Sequence, residues 1–251
     1  MLSTSQPAGR LRLYNFAMGA LHAVQGGAIL ALSNDFSLPV FGTFMEGPPG
    51  SGDPTIHHLF DLPVGPAVAA FVFVSAVAHF TLVLPGVFSW YRNNLSAQRN
   101  DARWIEYSLS ASLMVVLIAM LTGIGDIAAL LALSGVNASM ILFGLAQEHY
   151  ARPGGSLLPF WLGCVAGAVP WIAIGIYVAS PGVGANPPGF VYGIFVSLFL
   201  FFNVFAVNMW LQYRQIGPWR NYVFGESVYI VLSLAAKSAL AWQVFFPTLI
   251  D

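Results

Sequence analysis

SLAAKSALAW, residues 233–242, places Lys237 in the middle of an apolar stretch that runs from about Tyr222 to Phe246. It is the only lysine in a chain whose other basic side chains are eight arginines. Lys237 lies about 15 residues from one end of that stretch and about 10 from the other. At a helical rise of about 1.5 Å per residue, it is about 15 Å from the nearer end, beyond the reach of its own side chain. A charge held so deep in an apolar helix costs several kcal/mol unless a partner compensates it, so the residue marks a functional site.

The composition around this lysine sets the class. Of the 251 residues, 57% are hydrophobic and 8% charged, against about 25% charged in soluble domains. Too few charges are present to coat a soluble fold, so the chain reads as an integral membrane protein. The net charge of −1 gives no basis for nucleic-acid binding, and the single Cys164 cannot form an internal disulfide. Arg10 and Arg12 precede the first apolar run as in a signal sequence. The run's length and the lack of a small-x-small cleavage site predict a retained helix instead.

Seven segments are long enough to cross a bilayer, at about 12–33, 64–90, 100–122, 126–148, 157–180, 188–212 and 221–247. TGIGD, residues 122–126, divides the third from the fourth with a tight-turn composition. Pro85 and Pro170 fall inside segments, where each should kink a helix or end it. With no internal repeat, residues 1–251 read as one domain, an all-α seven-helix bundle.

Arginines fix the expected topology. Arg10, Arg12, Arg92, Arg99, Arg103, Arg152, Arg214 and Arg220 all fall on one side of a seven-span arrangement. Asp35, Glu46, Asp53, Asp61, Asp126 and Asp251 fall on the other. The positive-inside rule makes the arginine side cytoplasmic, with the N-terminus inside and the C-terminus outside. The connection over 34–63 is the only long one and includes the strand-like VFGTF at 40–44. His57-His58 within it is too small a set to predict a metal site.

On the residues alone, Lys237 fits three roles: a structural ion pair, an ion or proton site in a transporter, or a nucleophilic amine that attaches an aldehyde as a Schiff base. Its candidate partner is Glu106, in RWIEYSLSAS at 103–112, with Arg103 three residues earlier on the same face. Side chains lean toward the N-terminal end of their helix, which carries Lys237 back toward the level of Glu106. Ser233 lies one turn before the lysine. Further polar residues inside segments are His22, Gln25, Ser75, His79, Ser110, Asn137, Asn203 and Asn208. Glu148, His149 and Glu226 fall at helix ends, where solvated charge is expected. Trp104, Tyr107, Phe143, Trp161, Trp171, Phe199, Phe202 and Tyr229 could line an apolar pocket.

Seven helices, a mid-helix lysine on the last and R-x-x-E on the third resemble the microbial rhodopsins. Four details resemble one branch, the heliorhodopsins: the N-inside orientation, Glu106 where proton pumps usually have aspartate, Ser233 in SLAAK where pumps have a second acid, and His22 with His79 on the first two helices. The resemblance implies all-trans retinal on Lys237, Glu106 as counterion, and Ser233, Ser110, Asn137, Tyr107, Phe202, Trp171 and Tyr229 around it. His22, His79, Gln25, Ser75, Arg103 and Glu148 would line a polar inner cavity. It further implies a homodimer with residues 34–63 as a β-hairpin near the interface. The implied activity is photoisomerisation to 13-cis, a slow photocycle, no ion pumping and no enzymatic reaction, in a multi-pass cell-membrane protein with a photosensory or regulatory role. No acidic residue lies within a span between Lys237 and the outer face, which agrees with non-pumping. The alternatives are a light-driven ion pump or channel on the same scaffold and a transporter without chromophore.

Overall fold

The computed structural model describes residues 8–179 and 186–250. Its elements are α1 (Ala8–Leu32), β1 (Ser37–Phe44), β2 (Thr55–Pro63), α2 (Val64–Leu82), α3 (Pro85–Ser96), α4 (Asp101–Leu121), α5 (Ile127–Tyr150), α6 (Leu158–Ala179), α7 (Gly189–Tyr213) and α8 (Tyr222–Thr248). A 3-10 turn, Gly217–Arg220, precedes α8. Seven helices have the length and composition of membrane spans: α1, α2 and α4 to α8. Their outward faces are apolar, as Val165, Val169 and Ile172 on α6 show. In lipid such faces need no cover, and a helix satisfies its own backbone groups.

The second expected segment, 64–90, is too long. The span ends at Leu82, and Pro85 opens the separate helix α3. Proline has no N–H to donate and forces the preceding Leu84 into an extended conformation, so it starts a helix more readily than it continues one. Pro170, by contrast, stays within α6. The short α3 buries Phe88, Tyr91 and Leu95 against Leu82 and Tyr222, and leaves Trp90 exposed.

Sequence neighbours pack side by side, α2 packs on α4, and α8 closes the bundle against α1 and α2. The main apolar core joins Val68 and Val72 of α2, Leu117 and Ile118 of α4, Ile174 of α6, Leu198 of α7 and Leu240 and Val244 of α8. The alternating path of the chain gathers the arginines at one end of the bundle. There Arg12 Nε donates to the Val83 carbonyl oxygen (2.8 Å), tying the start of α1 to the end of α2.

At the opposite end, β1 and β2 form an antiparallel hairpin with a bulge after Val40. It docks on the α4–α5 turn. The Phe41 N–H donates to the Gly125 oxygen (3.0 Å), and Thr43 Oγ1 donates to Asp126 Oδ2 (3.3 Å). A Cβ on Gly125 would lie 2.6 Å from the Phe41 ring and 2.8 Å from the Pro39 oxygen, so this approach requires glycine. His57 and His58 on β2 pair with Glu46 (3.6 Å) and Asp61 (3.0 Å). Among the described residues, no three His, Cys, Asp or Glu side chains are grouped to hold a metal.

Asp126 also caps α5, accepting from the N–H groups of Ala128 and Ala129 (3.0 and 3.1 Å). Asp126→Ala removes the cap and the hairpin contact together. It should cost about 1–2 kcal/mol, read as a lower thermal midpoint in detergent, with Thr43→Ala costing less.

Candidate functional site

Lys237 is 3% exposed in the middle of α8. Its Nζ donates to Glu106 Oε1 of α4 (2.7 Å) and to Ser233 Oγ one turn earlier (2.9 Å). Ser75 of α2 donates to the same Glu106 oxygen (2.6 Å). The ring of Tyr107 lies 5.0 Å from the ammonium, and its hydroxyl donates to the Tyr229 carbonyl oxygen (2.9 Å). The single lysine therefore has a carboxylate, a hydroxyl and an aromatic face as neighbours, which is what a buried cation needs to stay charged.

On its other side Lys237 faces a cleft of about 140 Å³, partly open at the surface. Ser110, Ser233, Tyr107 and Tyr229 surround the lysine end of the cleft. Trp104, Met140, Phe202 and Phe205 form apolar walls. Gly144 of α5 admits the Trp104 ring, which fills the space a Cβ would need. A long apolar molecule with a carbonyl at one end suits this donor set: an amine at the closed end, apolar walls beyond it, and few other polar atoms.

Not every expected site residue lines that cleft. Trp171 packs against Phe195, Phe199 and Phe202 (ring centroids 5.8, 5.5 and 5.3 Å), and so supports the Phe202 wall from behind. Asn137 donates to Ser112 Oγ (3.1 Å), bridging α5 and α4. Gln25 Oε1 accepts from Ser238 Oγ (2.9 Å), bridging α1 and α8. His22 and His79 stack with ring centroids 5.8 Å apart; His79 Nδ1 donates to Asn15 Oδ1 (2.9 Å), whereas neither His22 nitrogen has a hydrogen-bond partner among the described residues.

Arg103 does not pair with Glu106, its neighbour three residues on. It turns toward the arginine-bearing end and engages two other carboxylates, Glu148 (Nη2 to Oε1, 2.5 Å) and Glu226. Its guanidinium also lies over the rings of Tyr229 and Trp104, 4.0 and 4.5 Å from their centroids. Glu148 and Glu226 are 7% and 2% exposed and are buried ion-pair partners, not solvated helix ends. Helix-end position predicts solvent for both, and the family resemblance alone places Glu148, though not Glu226, in a polar interior; here α3 and Tyr222 cover the end. Asn15, Tyr91 and Asn100 also join the polar interior and were not anticipated. Asn100 alone carried a signal, as an N-cap residue before an apolar run.

The sequence profile of the heliorhodopsins matches residues 11–249. The chain belongs to the heliorhodopsin family. With that membership it is a multi-pass membrane protein and a retinal-binding, light-sensing rhodopsin, from a family of photoreceptors and not of enzymes. Among solved structures, the crystal structure of cyanorhodopsin from the cyanobacterium Tolypothrix sp. NIES-4075 is similar, with a TM-score of 0.64 and 15% identity. The match covers 98% of this chain and 96% of that one, and at this identity it shows a shared seven-helix fold alone. No curated protein matches the chain.

Gly144→Ala tests the cleft wall in this heliorhodopsin. The added methyl must displace Trp104 and weaken its Nε1 hydrogen bond to Glu148 Oε2 (2.6 Å). The expected cost is about 1–3 kcal/mol, measured by thermal unfolding.

Proposed function

We propose that the chain holds all-trans retinal covalently through Lys237 Nζ, with Glu106 as the counterion, and works as a photosensor that moves no ions. The observation that carries this is the placement of one buried amine at the head of the apolar cleft, 2.7 Å from a buried carboxylate. When bound, the retinal supplies visible absorption and an all-trans to 13-cis isomerisation. Ser110, Tyr107, Phe202 and Tyr229 line the cleft along its length, with Trp171 behind Phe202 and Asn137 behind Ser112 on α4. Ser233 accepts a second N–H of the lysine, beside the one given to Glu106, and so tunes how firmly the cation is held.

The distribution of ionisable groups supports the absence of pumping. A vectorial pump needs a proton acceptor and donor on opposite sides of the amine. Among the described residues, every carboxyl within a span (Asp101, Glu106, Glu148 and Glu226) lies toward the arginine-bearing end. His22, His79, Ser75 and Arg103 lie on that side of Lys237 too, whereas the Gln25–Ser238 and Ser197–Gln243 pairs toward the hairpin are neutral. A proton displaced from the lysine end finds its acceptors on one side of the amine alone and returns from them, which suits a slow photocycle and a photosensory or regulatory output.

The eight arginines at one end and the acidic hairpin at the other support a cytoplasmic N-terminus and an extracellular C-terminus. Exposed Phe44, Ile56 and Phe60 on the hairpin, outside the spans, support a homodimer that buries this surface.

The test is a visible absorption spectrum of purified protein with and without all-trans retinal, beside Lys237→Ala and Lys237→Arg. A band that requires both retinal and Lys237 is expected; a band that survives Lys237→Arg would refute the attachment. Glu106→Gln should shift the band to longer wavelength, because the anion holds positive charge at the nitrogen more strongly before excitation than after it. Illumination of vesicles carrying the protein should give no sustained pH change, whereas a light-dependent gradient would make it a pump.

A further inference from the structure

The spans bury three carboxylates outside the first helical turn, Glu106, Glu148 and Glu226, but only two permanent cations, Lys237 and Arg103. Lys237 is matched by Glu106, which leaves one guanidinium between two carboxylates. We infer that Glu226 carries a proton at neutral pH and is a proton-holding site that opens on the same cavity as Glu106.

Hydrogen bonding decides which of the two is neutral. Glu148 accepts from the Asn100 backbone N–H (2.9 Å), Trp104 Nε1 (2.6 Å), Arg103 Nη2 (2.5 Å) and Tyr222 Oη (3.2 Å). Four donors occupy all of the roughly four lone-pair positions of a carboxylate, so Glu148 has no place for a proton and is the anion that Arg103 requires. Among the described residues Glu226 accepts only from Arg103 and from Asn100 Nδ2 (2.6 Å), which leaves one acceptor position free on each of its oxygens. A second uncompensated anion in this interior takes up a proton instead of staying charged.

A small, partly open cavity lies along this group. It is lined by Glu226, Arg103, Asn100 and Tyr91 at one end and by Glu106, His79 and Ser233 at the other. Arg103 Nε, also buried, has no hydrogen-bond partner among the described residues. The Glu226 oxygen not engaged by Arg103 can therefore donate into the cavity while accepting from Asn100. Two other groups there can take a proton: Glu106, which is engaged by Lys237 and Ser75, and His79, which faces Asn15 and is not bonded to either carboxylate of the arginine cluster. Tyr222 and Tyr229 face the cluster from α8 as neutral hydroxyls and offset no negative charge. On the photosensor reading above, the shared cavity makes Glu226 the store with which the Lys237–Glu106 pair exchanges its proton.

Infrared spectroscopy of the full-length protein at neutral pH, recorded without added retinal, tests the site separately from the chromophore. One protonated-carboxyl stretch that downshifts in deuterium oxide is expected. It should disappear in Glu226→Gln and change frequency in Glu226→Asp. Glu148→Asp should leave its frequency in place, and Glu148→Gln should abolish it because Glu226 then becomes the sole anion for Arg103. Absence of the band in wild type, its survival in Glu226→Gln, or a frequency change in Glu148→Asp but not Glu226→Asp would each overturn the assignment. With retinal bound, illumination should perturb this same band; a band present in the dark but unmoved by light would leave the proton on Glu226 and refute its exchange with Lys237.

Discussion

The contact between Lys237 Nζ and Glu106 Oε1 (2.7 Å) organises the interior of this protein. A cation in the middle of a bilayer-spanning helix is tolerated only with a partner. That partner has to come from another helix, so the pair fixes how α8 sits against α4. Ser75 of α2 completes the same arrangement through the shared Glu106 oxygen, and Ser233 does so from within α8. Removing one member of a buried pair typically costs more than the pair contributes, because the other is left as an isolated charge.

Once Glu106 is committed to the lysine, Arg103 must find its anions elsewhere. It meets two carboxyl groups, Glu148 of α5 and Glu226 of α8, so two nearby charges of one short motif serve two separate sites. Asn100, Trp104 and Tyr222 hydrogen-bond this carboxyl pair, and the Tyr229 ring covers the guanidinium. The apolar cleft begins on the other face of Lys237. The polar cluster and the apolar cleft are thus separated by one side chain, and Lys237 borders both.

The hairpin end contrasts with this. Beyond Lys237 the interhelical bonds there are made by neutral amides and hydroxyls, and the acids lie in the connections. The asymmetry is a property of the whole bundle, since the arginines, the buried carboxylates and the histidine stack all lie on one side of the lysine.

Much of this was legible in the sequence, for definite reasons. A span needs about 20 apolar residues, so seven could be read directly, and with them the alternation that gathers the arginines. An unpaired lysine in an apolar run is costly enough to announce itself, and the R-x-x-E motif supplied its partner. What stayed hidden depended on which neighbours approach from other helices. Spacing alone made Arg103 and Glu106 natural partners, yet the tertiary structure separates them, because side chains on one helix compete with anions brought in by α5 and α8. Helix-end position made Glu148 and Glu226 appear solvated; only the packing of α3 and Tyr222 over that end shows them buried. Trp171 and Asn137 read as pocket residues, but rotation of each helix about its axis, which packing sets and composition does not, turned them toward Phe202 and Ser112. By itself the sequence determined the span count, the charge asymmetry and the buried lysine, because each follows from the cost of placing a group in lipid. The pairing of charges and the shape of the cleft were decided only in three dimensions, because they depend on which side chains the helices bring face to face.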